Sequence, residues 1–423
     1  MDLDERWLPI VHSLRERELT IVSIQSRWRR QASPVWKNVA DTDLMIEDAA
    51  PAFEFARIFA SLDRQHGIAG ILTDQDEVLA PVAEAARAAG IRFTDADAIA
   101  ICRDKLRFRQ FLSDASMNPR FCWIPKTADL REAVGKIGYP CVVKPVRGSG
   151  SRVCYPLYND DHVQWYEEEL AGLMPQLPLH MNWLLKGGLI CEGWLEGPVV
   201  SAAVAATGLK VAVISCALHL KHDENPCTGF GSVSFDPARD DGLGQCAAMA
   251  ERLVHELGLS FGLFDVEMIL TEGGPKVLEV NARPMGGEMI TALALRTQTD
   301  AYGFLVDLYC GTSVEMPLLL PDVATGIYKI VAKSAGVISE SLDLDAIIGL
   351  LPAEVLLRNY RLCPATSVAP LEVLGRILVV GTDVQSQLVA LDERTVAVGA
   401  AIGVELITAT PSISSQLAPL ARH

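Results

Sequence analysis

Two runs of alternating apolar and polar residues, separated by a Gly-Gly turn, constrain the fold of this chain most strongly. The first runs from Leu263 to Thr271, the second from Pro275 to Arg283, and Glu272-Gly-Gly274 lies between them. A period of two over runs of this length is typical of β-strands, and a short Gly-containing connection is typical of a hairpin. The pattern therefore predicts an antiparallel hairpin with one apolar and one polar face.

The polar face of this hairpin carries an unusual set of side chains. Alternate residues of a strand share a face, so Asp265 lies with Glu267, and Glu279 lies with Asn281 and Arg283. Antiparallel pairing can place Glu267 beside Glu279 and Asn281. Two carboxylates and an amide oxygen suit Mg²⁺ held jointly with substrate phosphates, and Arg283 could meet charge that develops on a transferred group. The alternative is the solvent-facing side of an ordinary sheet.

A second segment has the composition of a phosphate-binding loop. An apolar strand from Pro140 to Pro145 contains Lys144, and the chain then turns through Gly148, Ser149, Gly150 and Ser151. Small residues leave backbone N–H groups open to a polyphosphate, and a lysine on the adjoining strand adds positive charge. A Gly/Ser loop alone is typical of a plain turn. A lysine at a buried strand end, however, needs an anionic partner.

A third segment joins the two. An apolar strand around Ile190 ends in an acidic, Gly-containing crossover that extends to Pro198. Such a crossover can line an adenine slot, with its backbone groups and Glu192 reading the amino edge of the base. The alternative is an interdomain linker.

The first hundred residues alternate short apolar runs with helical patterns. Strands are predicted at Leu19–Ile24 and Gly67–Thr73, and helices at Pro51–Gln65 and Glu77–Ala89. This alternation predicts a small parallel sheet covered by helices, an incomplete Rossmann-like domain without a dinucleotide fingerprint. The acidic run 74–77 could border a site or cap the following helix.

The predicted fold class is α/β and α+β, in three parts. These are an N-terminal α/β domain (1–103), a central domain (104–315) with a small lid at about 125–190, and a β-rich C-terminal subdomain (316–423). The last part is expected to hold few catalytic groups and to contain strands at Ile377–Val380 and Val396–Val398.

Composition excludes some functions. The chain has 423 residues and a formal charge of −16, which argues against a nucleic-acid partner because phosphate binding needs a basic face. The ten cysteines form no C-x-x-C pair and are expected to be reduced. No apolar run reaches the roughly 20 residues of a membrane helix, so no membrane association and a cytoplasmic location are expected.

The three segments, in this order and spacing, resemble the ATP-grasp superfamily, whose members bind ATP between two α+β subdomains. The resemblance covers about residues 100–310. It implies two ATP-binding lysines (Lys105 and Lys144), a phosphate loop (Gly148, Ser149, Gly150 and Ser151), an adenine-contacting hinge (Glu192 and Leu195), magnesium ligands (Glu267, Glu279 and Asn281) and a catalytic arginine (Arg283).

Within the superfamily, the segments 264–267 and 278–287 are most similar to L-amino-acid ligases and carnosine-synthase-like enzymes. This resemblance implies an ADP-forming ligase that joins a carboxylic acid to an amine through an acyl phosphate, with an amino acid as at least one substrate. ATP and Mg²⁺, with Mn²⁺ as a substitute, are the implied cofactors. A homodimer and a role in dipeptide or peptide-antibiotic synthesis would fit this branch.

Two other functions agree with the same residues. One is an ATP-grasp carboxylase that activates bicarbonate, and the other is a non-catalytic ATP-binding sensor. The complete set of phosphoryl-transfer groups weighs against the sensor. The segment that contains His219, His222 and the Gly-rich run 226–231 could line the acid or amine pocket. Zinc is not expected there, because positions i and i+3 of a strand point to opposite faces.

Overall fold

The computed structural model describes residues 2–3, 5–112, 114–148, 150–176, 184–208, 210–312, 314–320, 322–351, 355–359 and 362–418. Helices and strands are numbered below in chain order. In these ranges no helix is both long enough and apolar enough to cross a membrane.

The N-terminal part contains two parallel strands, β1 (Val22–Ser26) and β2 (Thr42–Ile46), which pair along their whole length. The helices of this part are α1 (Ile10–Glu16), α2 (Arg27–Ala32), α3 (Trp36–Val39), α4 (Ala52–His66), α5 (Asp76–Ala89) and α6 (Ala96–Cys102). The predicted helices at 51–65 and 77–89 are confirmed as α4 and α5. The predicted strand at 19–24 is confirmed as β1, shifted toward its C-terminal end.

The predicted strand at Gly67–Thr73 is wrong, because none of these residues is in a strand. Its apolar residues are explained by packing, since Ile71 is buried in the same core as β1 and α4. The segment lies directly against a later helix: a Cβ on Gly70 would be 2.6 Å from the carbonyl oxygen of Tyr309. A buried segment that forms no hydrogen bonds with a neighbouring strand is as apolar in sequence as a buried strand.

The chain then enters α7 (Lys105–Phe111) and the small lid. The lid is a four-stranded antiparallel sheet in the order β3-β6-β4-β5. Its elements are β3 (Phe121–Ile124), α8 (Leu130–Ile137), β4 (Cys141–Pro145), β5 (Tyr155–Leu157), α9 (Asp160–Leu173) and β6 (Leu189–Gly193). Apolar residues of α8 and α9 pack on this sheet and form a core of their own.

The largest element is an eight-stranded sheet in the order β11-β10-β7-β8-β9-β12-β16-β14. Its strands are β7 (Val199–Thr207), β8 (Val211–Leu220), β9 (Gly231–Phe235), β10 (Phe261–Thr271), β11 (Gly274–Asn281), β12 (Ala324–Val331), β14 (Leu356–Asn359) and β16 (Val373–Gly381). The remaining elements are α10 (Asp241–Glu256), α11 (Gly287–Leu295), α12 (Ala301–Cys310), β13 (Gly336–Val337), α13 (Leu344–Leu350), β15 (Ser367–Val368), α14 (Val384–Ile402) and α15 (Ile413–Leu417).

The C-terminal strands belong to this same sheet. β12 pairs with β9 on one side and with β16 on the other, so the hydrogen-bonded sheet continues across residue 316. The predicted strand at Val396–Val398 is wrong, because these residues lie inside α14. The buried positions of α14 include 384, 388, 391, 395, 398 and 402, which is the spacing of one helix face. The division of the chain at 103 and 315 stays a prediction.

Candidate active site

The predicted hairpin is confirmed as β10 and β11, and its register brings the acidic residues together. Glu267 lies directly opposite Glu279, and Asp265 lies directly opposite Asn281. The ladder shifts by one residue immediately after Glu267. The alternation therefore predicted both strands, but the register set by the turn would pair Glu267 with Leu278, and the one-residue shift is what places Glu267 opposite Glu279.

These carboxylates carry an excess of negative charge. Removal from water, together with the charges of Glu279 and Asp265, raises the pKa of Glu267 well above its ordinary value. Removal from water also raises the pKa of Asp265 to about 6, with a further contribution from Glu279. The Oδ1 atom of Asp265 is buried and has no hydrogen-bond partner. A cation beside these oxygens would lower both raised pKa values and would give Asp265 Oδ1 a partner.

The side chain of Asn281 connects the acidic residues to Arg283. Its Nδ2 atom donates to Glu267 Oε1 at 3.2 Å and to Asp265 Oδ2 at 3.4 Å. Its Oδ1 atom accepts from Arg283 Nη2 at 3.5 Å. A half-turn of the amide exchanges these two atoms, and that half-turn is needed for Asn281 to offer oxygen to a metal held by Glu267.

Lys105 links the hairpin to the phosphate loop. This lysine is the first residue of α7, whose preceding residue, Asp104, caps the helix by accepting from Arg107 N–H. Lys105 Nζ pairs with Glu279 Oε2 at 2.7 Å and donates to the carbonyl of Gly148 at 3.0 Å. One ammonium group thus contacts both predicted halves of the site.

Lys144 and Glu192 form a second ion cluster with Arg109, which the sequence reasoning missed. Glu192 accepts from Lys144 Nζ at 2.8 Å and from Arg109 Nε at 2.7 Å. Arg109 also donates to the backbone carbonyls of Val277 and Leu278, at 2.9 and 2.8 Å. We call Arg109, Lys144 and Glu192 the Glu192 triad.

The triad adds to the role expected for Glu192. Burial by itself would raise the pKa of this carboxyl, but Arg109 and Lys144 outweigh burial and hold the pKa at about 2. Only 4% of the side chain is exposed. The Glu192 carboxylate therefore positions two cations, in addition to the base-contacting role that stays a prediction. Its position on β6 still allows its backbone to border the cleft.

The phosphate loop makes a sharp turn at Gly150 and Ser151, two of the small residues that were predicted to contact phosphate. Gly150 has φ of +63°, in the left-handed region that glycine adopts without strain. Ser151 also has a positive φ, of 55°, and its Oγ donates to the carbonyl of Cys227 at 2.7 Å. Ser149 lies outside the described residues. The loop thus lies against the segment between β8 and β9.

A cleft of about 340 Å³ lies between the lid and the large sheet. Most of the predicted site residues line it: Lys105, Lys144, Gly148, Gly150, Ser151, Glu192, Leu195, Glu267 and Glu279. Asn281 and Arg283 lie beyond its lining, further along the hairpin.

Arg283 belongs to a buried network at the entrance to α5. Its Nη2 donates to Asp76 Oδ2 at 2.9 Å, and Arg103 Nη1 pairs with Asp76 Oδ1 at 2.9 Å. Burial opposes ionisation of Asp76, but Arg283 and Arg103 outweigh burial and keep the pKa of this carboxyl far below its usual range. Asp76 is in the first turn of α5, and Asp74 accepts from Trp7 Nε1 at 2.7 Å. The acidic run 74–77 therefore borders the site as well as beginning a helix.

Two further residues line the cleft: Lys329, which the sequence reasoning missed, and His219, whose segment was expected to contribute to the acid or amine pocket. Lys329 stands in the otherwise apolar strand β12, donates to the carbonyl of Gly229, and has a pKa lowered to about 8 by burial and by Arg376. His219 bonds Ser201 Oγ through Nε2 at 3.0 Å, and burial lowers its pKa to about 4. Lys329 belongs to the segment after residue 317, where few catalytic groups are expected, and that expectation stays a prediction. The sequence signal that could have identified Lys329 is a single lysine within a buried strand, and the same signal identified Lys144.

The histidines at 219 and 222 do not form a pair. His219 lines the cleft, whereas His222 is buried beside Phe230. No group of three or more histidine, cysteine or carboxylate side chains surrounds a common point within the described ranges. The predicted magnesium set contains two carboxylates and an amide, and nucleotide phosphates would have to complete the shell.

A comparison with known families decides the class of this site. Residues 102–287 match the family model of the ATP-grasp domain. Residues 102–287 are an ATP-grasp domain. The resemblance inferred from the sequence is confirmed at this level, and the matched range contains the lid, the Gly/Ser loop at 148–151 and the β10–β11 hairpin.

The curated relatives are distant. An uncharacterised protein, y4rH, of Sinorhizobium fredii is 26% identical over 285 residues, which cover 64% of this chain and 57% of the relative. The carbamoyl phosphate synthase large chain of Thermomicrobium roseum is 24% identical over 198 residues, which cover 45% of this chain and 17% of the relative. The matches therefore span little more than half of the first relative and under a fifth of the second.

Solved structures extend the likeness to the whole chain. The L-amino acid ligase of Bacillus licheniformis superposes with a TM-score of 0.73 and 17% identity, covering 96% of this chain and 97% of the ligase. Biotin carboxylase of Campylobacter jejuni superposes with a TM-score of 0.65 and 14% identity, covering 100% and 94%. At these identities the likeness establishes the ATP-grasp fold, including the parts before and after the matched domain.

The residues present fit the cofactors of the superfamily. ATP-grasp enzymes use ATP and Mg²⁺. In this ATP-grasp domain the donors at the hairpin are hard oxygens, one of which is buried without a partner. Four lysines line the same cleft: Lys105, Lys144, Lys221 and Lys329. Hard oxygen donors with surplus negative charge suit Mg²⁺, and lysines opposite them suit polyphosphate.

Proposed function

We propose that this protein is an ATP-dependent carboxylate–amine ligase that forms an amide bond, ADP and phosphate, with an amino acid as at least one substrate. One observation carries the proposal: Lys105 bonds both the phosphate loop, at Gly148, and the hairpin carboxylate Glu279. Phosphates held by the loop would therefore lie beside the acidic pair. A site for a nucleotide and a hard metal follows from that juxtaposition.

The nucleotide would lie between the lid and the large sheet. Lys105, Lys144 and the loop that includes Gly148, Ser149, Gly150 and Ser151 would neutralise and cradle its phosphates. The β6 backbone at Glu192, and Leu195 beyond it, would border the base. The Glu192 triad would hold the Lys144 ammonium at a fixed position, which reduces the cost of ordering it when the nucleotide binds.

Glu267, Glu279 and Asn281 would hold Mg²⁺, with Mn²⁺ as a substitute. The ion would draw negative charge from the phosphate oxygens and so favour attack at phosphorus. Asp265 stands opposite Asn281 and accepts from its Nδ2 in the orientation described above, a bond that the half-turn of the amide would break.

Arg283 would act on the group that is transferred. A substrate carboxylate oxygen would bond to the γ-phosphorus as the bond to the β-phosphate oxygen breaks, giving an acyl phosphate and ADP. The amine would then form the C–N bond and lose a proton while phosphate departs. Asp76, itself fixed by Arg103, would keep the Arg283 guanidinium aimed at the charge that develops in both steps.

Similarity in fold supports this branch of the superfamily without naming the substrates. Among the solved structures compared above, the ligase superposes with the higher TM-score, 0.73 against 0.65 for the carboxylase. ATP-grasp ligases act on small carboxylates and amines. Synthesis of a dipeptide or a peptide-like antibiotic, and assembly as a homodimer, are parts of the same proposal.

The direct test measures phosphate release from Mg-ATP across amino acids and small carboxylic acids, singly and in pairs, with mass spectrometry of the positive mixtures. We expect ADP only when an acid and an amine are both present, and a product lighter by one water than their sum. The Glu279→Gln variant is the inactive control, and Glu272→Gln, an exposed change at the turn of the same hairpin, is the matched control.

Two other outcomes have definite meanings. Stimulation by bicarbonate alone would replace the ligase with a carboxylase. Tight ATP binding with no stimulation by any acid, amine or bicarbonate would favour a nucleotide sensor.

A further inference from the structure

Two cysteines from different parts of the chain meet at the nucleotide cleft. Cys154 lies between the phosphate loop and β5, in the lid, and Cys227 lies in the segment between β8 and β9 of the large sheet. Both line the cleft and both are partly exposed. Neither thiol has a role in the proposed ligase reaction.

Three contacts hold the two segments together. The Cys154 and Cys227 side chains lie close enough for each thiol to affect the ionisation of the other. On either side, Ser151 Oγ donates to the Cys227 carbonyl at 2.7 Å, and Asn225 Nδ2 donates to the Cys154 carbonyl at 3.2 Å. These backbone contacts bring the two thiols together at a junction between lid and sheet.

The surroundings distinguish the two thiols. The hydrogen bond from Cys227, with the positive charges of Lys144 and Lys105, lowers the pKa of Cys154. The same hydrogen bond, together with burial, raises the pKa of Cys227. A thiolate is the form that reacts with oxidants, so Cys154 is the nucleophile of the pair and Cys227 keeps its proton.

A second thiol pair provides an internal comparison. Cys141 on β4 and Cys191 on β6 also share a side-chain hydrogen bond. Both are completely buried in the core of the lid and belong to one sheet. An oxidant cannot reach them, and a bond between them would not join the lid to anything else.

We propose that Cys154 and Cys227 form a reversible oxidation site that ties the phosphate loop to the large sheet across the nucleotide cleft. A hydroperoxide supplies the oxidising equivalents. The Cys154 thiolate attacks one peroxide oxygen, giving a sulfenic acid and releasing the other oxygen as hydroxide or alkoxide. The Cys227 sulfur then attacks the Cys154 sulfur, forming the disulfide, and its proton leaves with the sulfenic oxygen as water.

The disulfide would close one end of the cleft. The lid and the sheet must separate for a nucleotide to enter or leave, and their contacts at this junction are otherwise hydrogen bonds. A covalent bond at Cys154 would hold the phosphate loop in place, slow nucleotide exchange and so stop turnover. The inference rests on nucleotide binding in this cleft and not on the identity of the acid or amine.

The test treats the full-length protein with hydrogen peroxide and maps its peptides by mass spectrometry without reduction. We expect one linked peptide pair that contains Cys154 and Cys227 and has lost two hydrogens, while Cys141 and Cys191 stay reduced. Dissociation of a fluorescent ADP analogue should become about tenfold slower in protein oxidised with the analogue bound, and dithiothreitol should restore it.

Variants separate a lock from general oxidative damage. Cys154→Ser and Cys227→Ser should each lose the response, judged by the ratio of dissociation rates before and after peroxide within each variant. Cys122→Ser, which removes a partly exposed thiol on β3 outside the cleft, should keep the response to peroxide.

Absence of the 154–227 linked peptide would overturn the proposed site. A linked peptide with unchanged dissociation, or slowing that persists in Cys227→Ser, would overturn the lock. The peptide map does not require ligand binding, so failure of the proposed enzyme activity would be seen separately.

Discussion

Two ion clusters border the cleft, and they are balanced in opposite ways. In the Glu192 triad one carboxylate meets two cations, and its pKa is held at about 2. In the hairpin cluster, which consists of Asp265, Glu267, Glu279 and Lys105, three carboxylates meet one lysine, and the pKa of Glu267 is raised well above its usual value. The triad therefore has an excess of positive charge, whereas the hairpin cluster has an excess of negative charge.

This difference in charge distinguishes the Glu192 triad, which holds side chains in position, from the hairpin cluster, which can bind a cation. A buried ion pair with good geometry fixes its members and loses stability when one of them is removed. A cluster of carboxylates with a charge excess costs stability until a cation joins it. We therefore expect substitutions in the hairpin cluster to affect activity more than stability, and substitutions in the triad to affect stability strongly.

The largest effect is expected at Glu279. Glu279→Gln removes a proposed metal ligand and the partner of Lys105, so turnover should fall by about a thousandfold or more, as expected when a group that stabilises transition-state charge is lost. The measurement is ADP formation at saturating ATP, with the unfolding midpoint recorded beside it. Glu272→Gln should retain full activity. A Glu279→Gln enzyme that keeps its activity would break the comparison, because the cluster would not be a metal site.

Arg283 should show the next largest effect. Arg283→Lys keeps a positive charge but loses the planar donor set, so kcat should fall by about a hundredfold while the Kd for ATP changes little. Rate measurements and ADP-analogue titrations on the same preparation separate the two quantities. Equal losses in kcat and in nucleotide affinity would assign Arg283 to nucleotide binding instead.

Glu192 should matter most for stability. Glu192→Gln leaves Arg109 and Lys144 buried without their counter-charge, which should lower the free energy of unfolding by about 3–5 kcal/mol. Chemical denaturation at neutral pH measures the loss. The control is Glu167→Gln, which breaks the exposed pair with Arg131 and should cost at most about 1 kcal/mol. A Glu192→Gln loss as small as that control would mean that the triad does not stabilise the fold.

The pH dependence of the free energy of unfolding tests the role of Glu192 again, with a smaller expected effect. The pKa of Glu192 is depressed from 4.5 to about 2, so its ionised form contributes stability above pH 4.5. This contribution is lost as the pH falls from 4.5 through about 2, because the unfolded carboxyl binds a proton before the folded one does. The stability difference between the parent and Glu192→Gln should therefore shrink as the pH falls from 5 to 2. A constant difference over that range would contradict the ionised triad.

Much of the hairpin could be predicted because the residues that specify it are close together in sequence. The alternation around Glu267 and Glu279 specifies both strands, and the short turn specifies their register as far as Met268, where the ladder shifts by one residue. The helices α4 and α5 were likewise predicted from their period and turn residues. The same local reasoning failed at Gly67–Thr73 and Val396–Val398, where short apolar runs do not distinguish a strand from a packed coil or one helix face.

The rest of the site depends on contacts between distant segments. Arg109 reaches Glu192 across 83 positions of sequence, and Arg283 reaches Asp76 across 207. No local period connects such residues, so the pairing of Glu192 with Arg109, the pairing of Asp76 with Arg283 and the involvement of Lys329 were not predicted. A lone charged residue in an apolar strand, as at Lys144 and Lys329, is the local sign that such a partner exists.

The sequence by itself determined the ATP-grasp identity of the central domain, because its strand periods, Gly-rich loop and acidic hairpin are local patterns in a fixed order. Only the tertiary structure decided which charges are balanced within the protein and which remain for a ligand. That decision requires the distances between side chains brought together by folding. Coulomb energy and desolvation both depend on those distances and on burial, and neither is written in the local sequence.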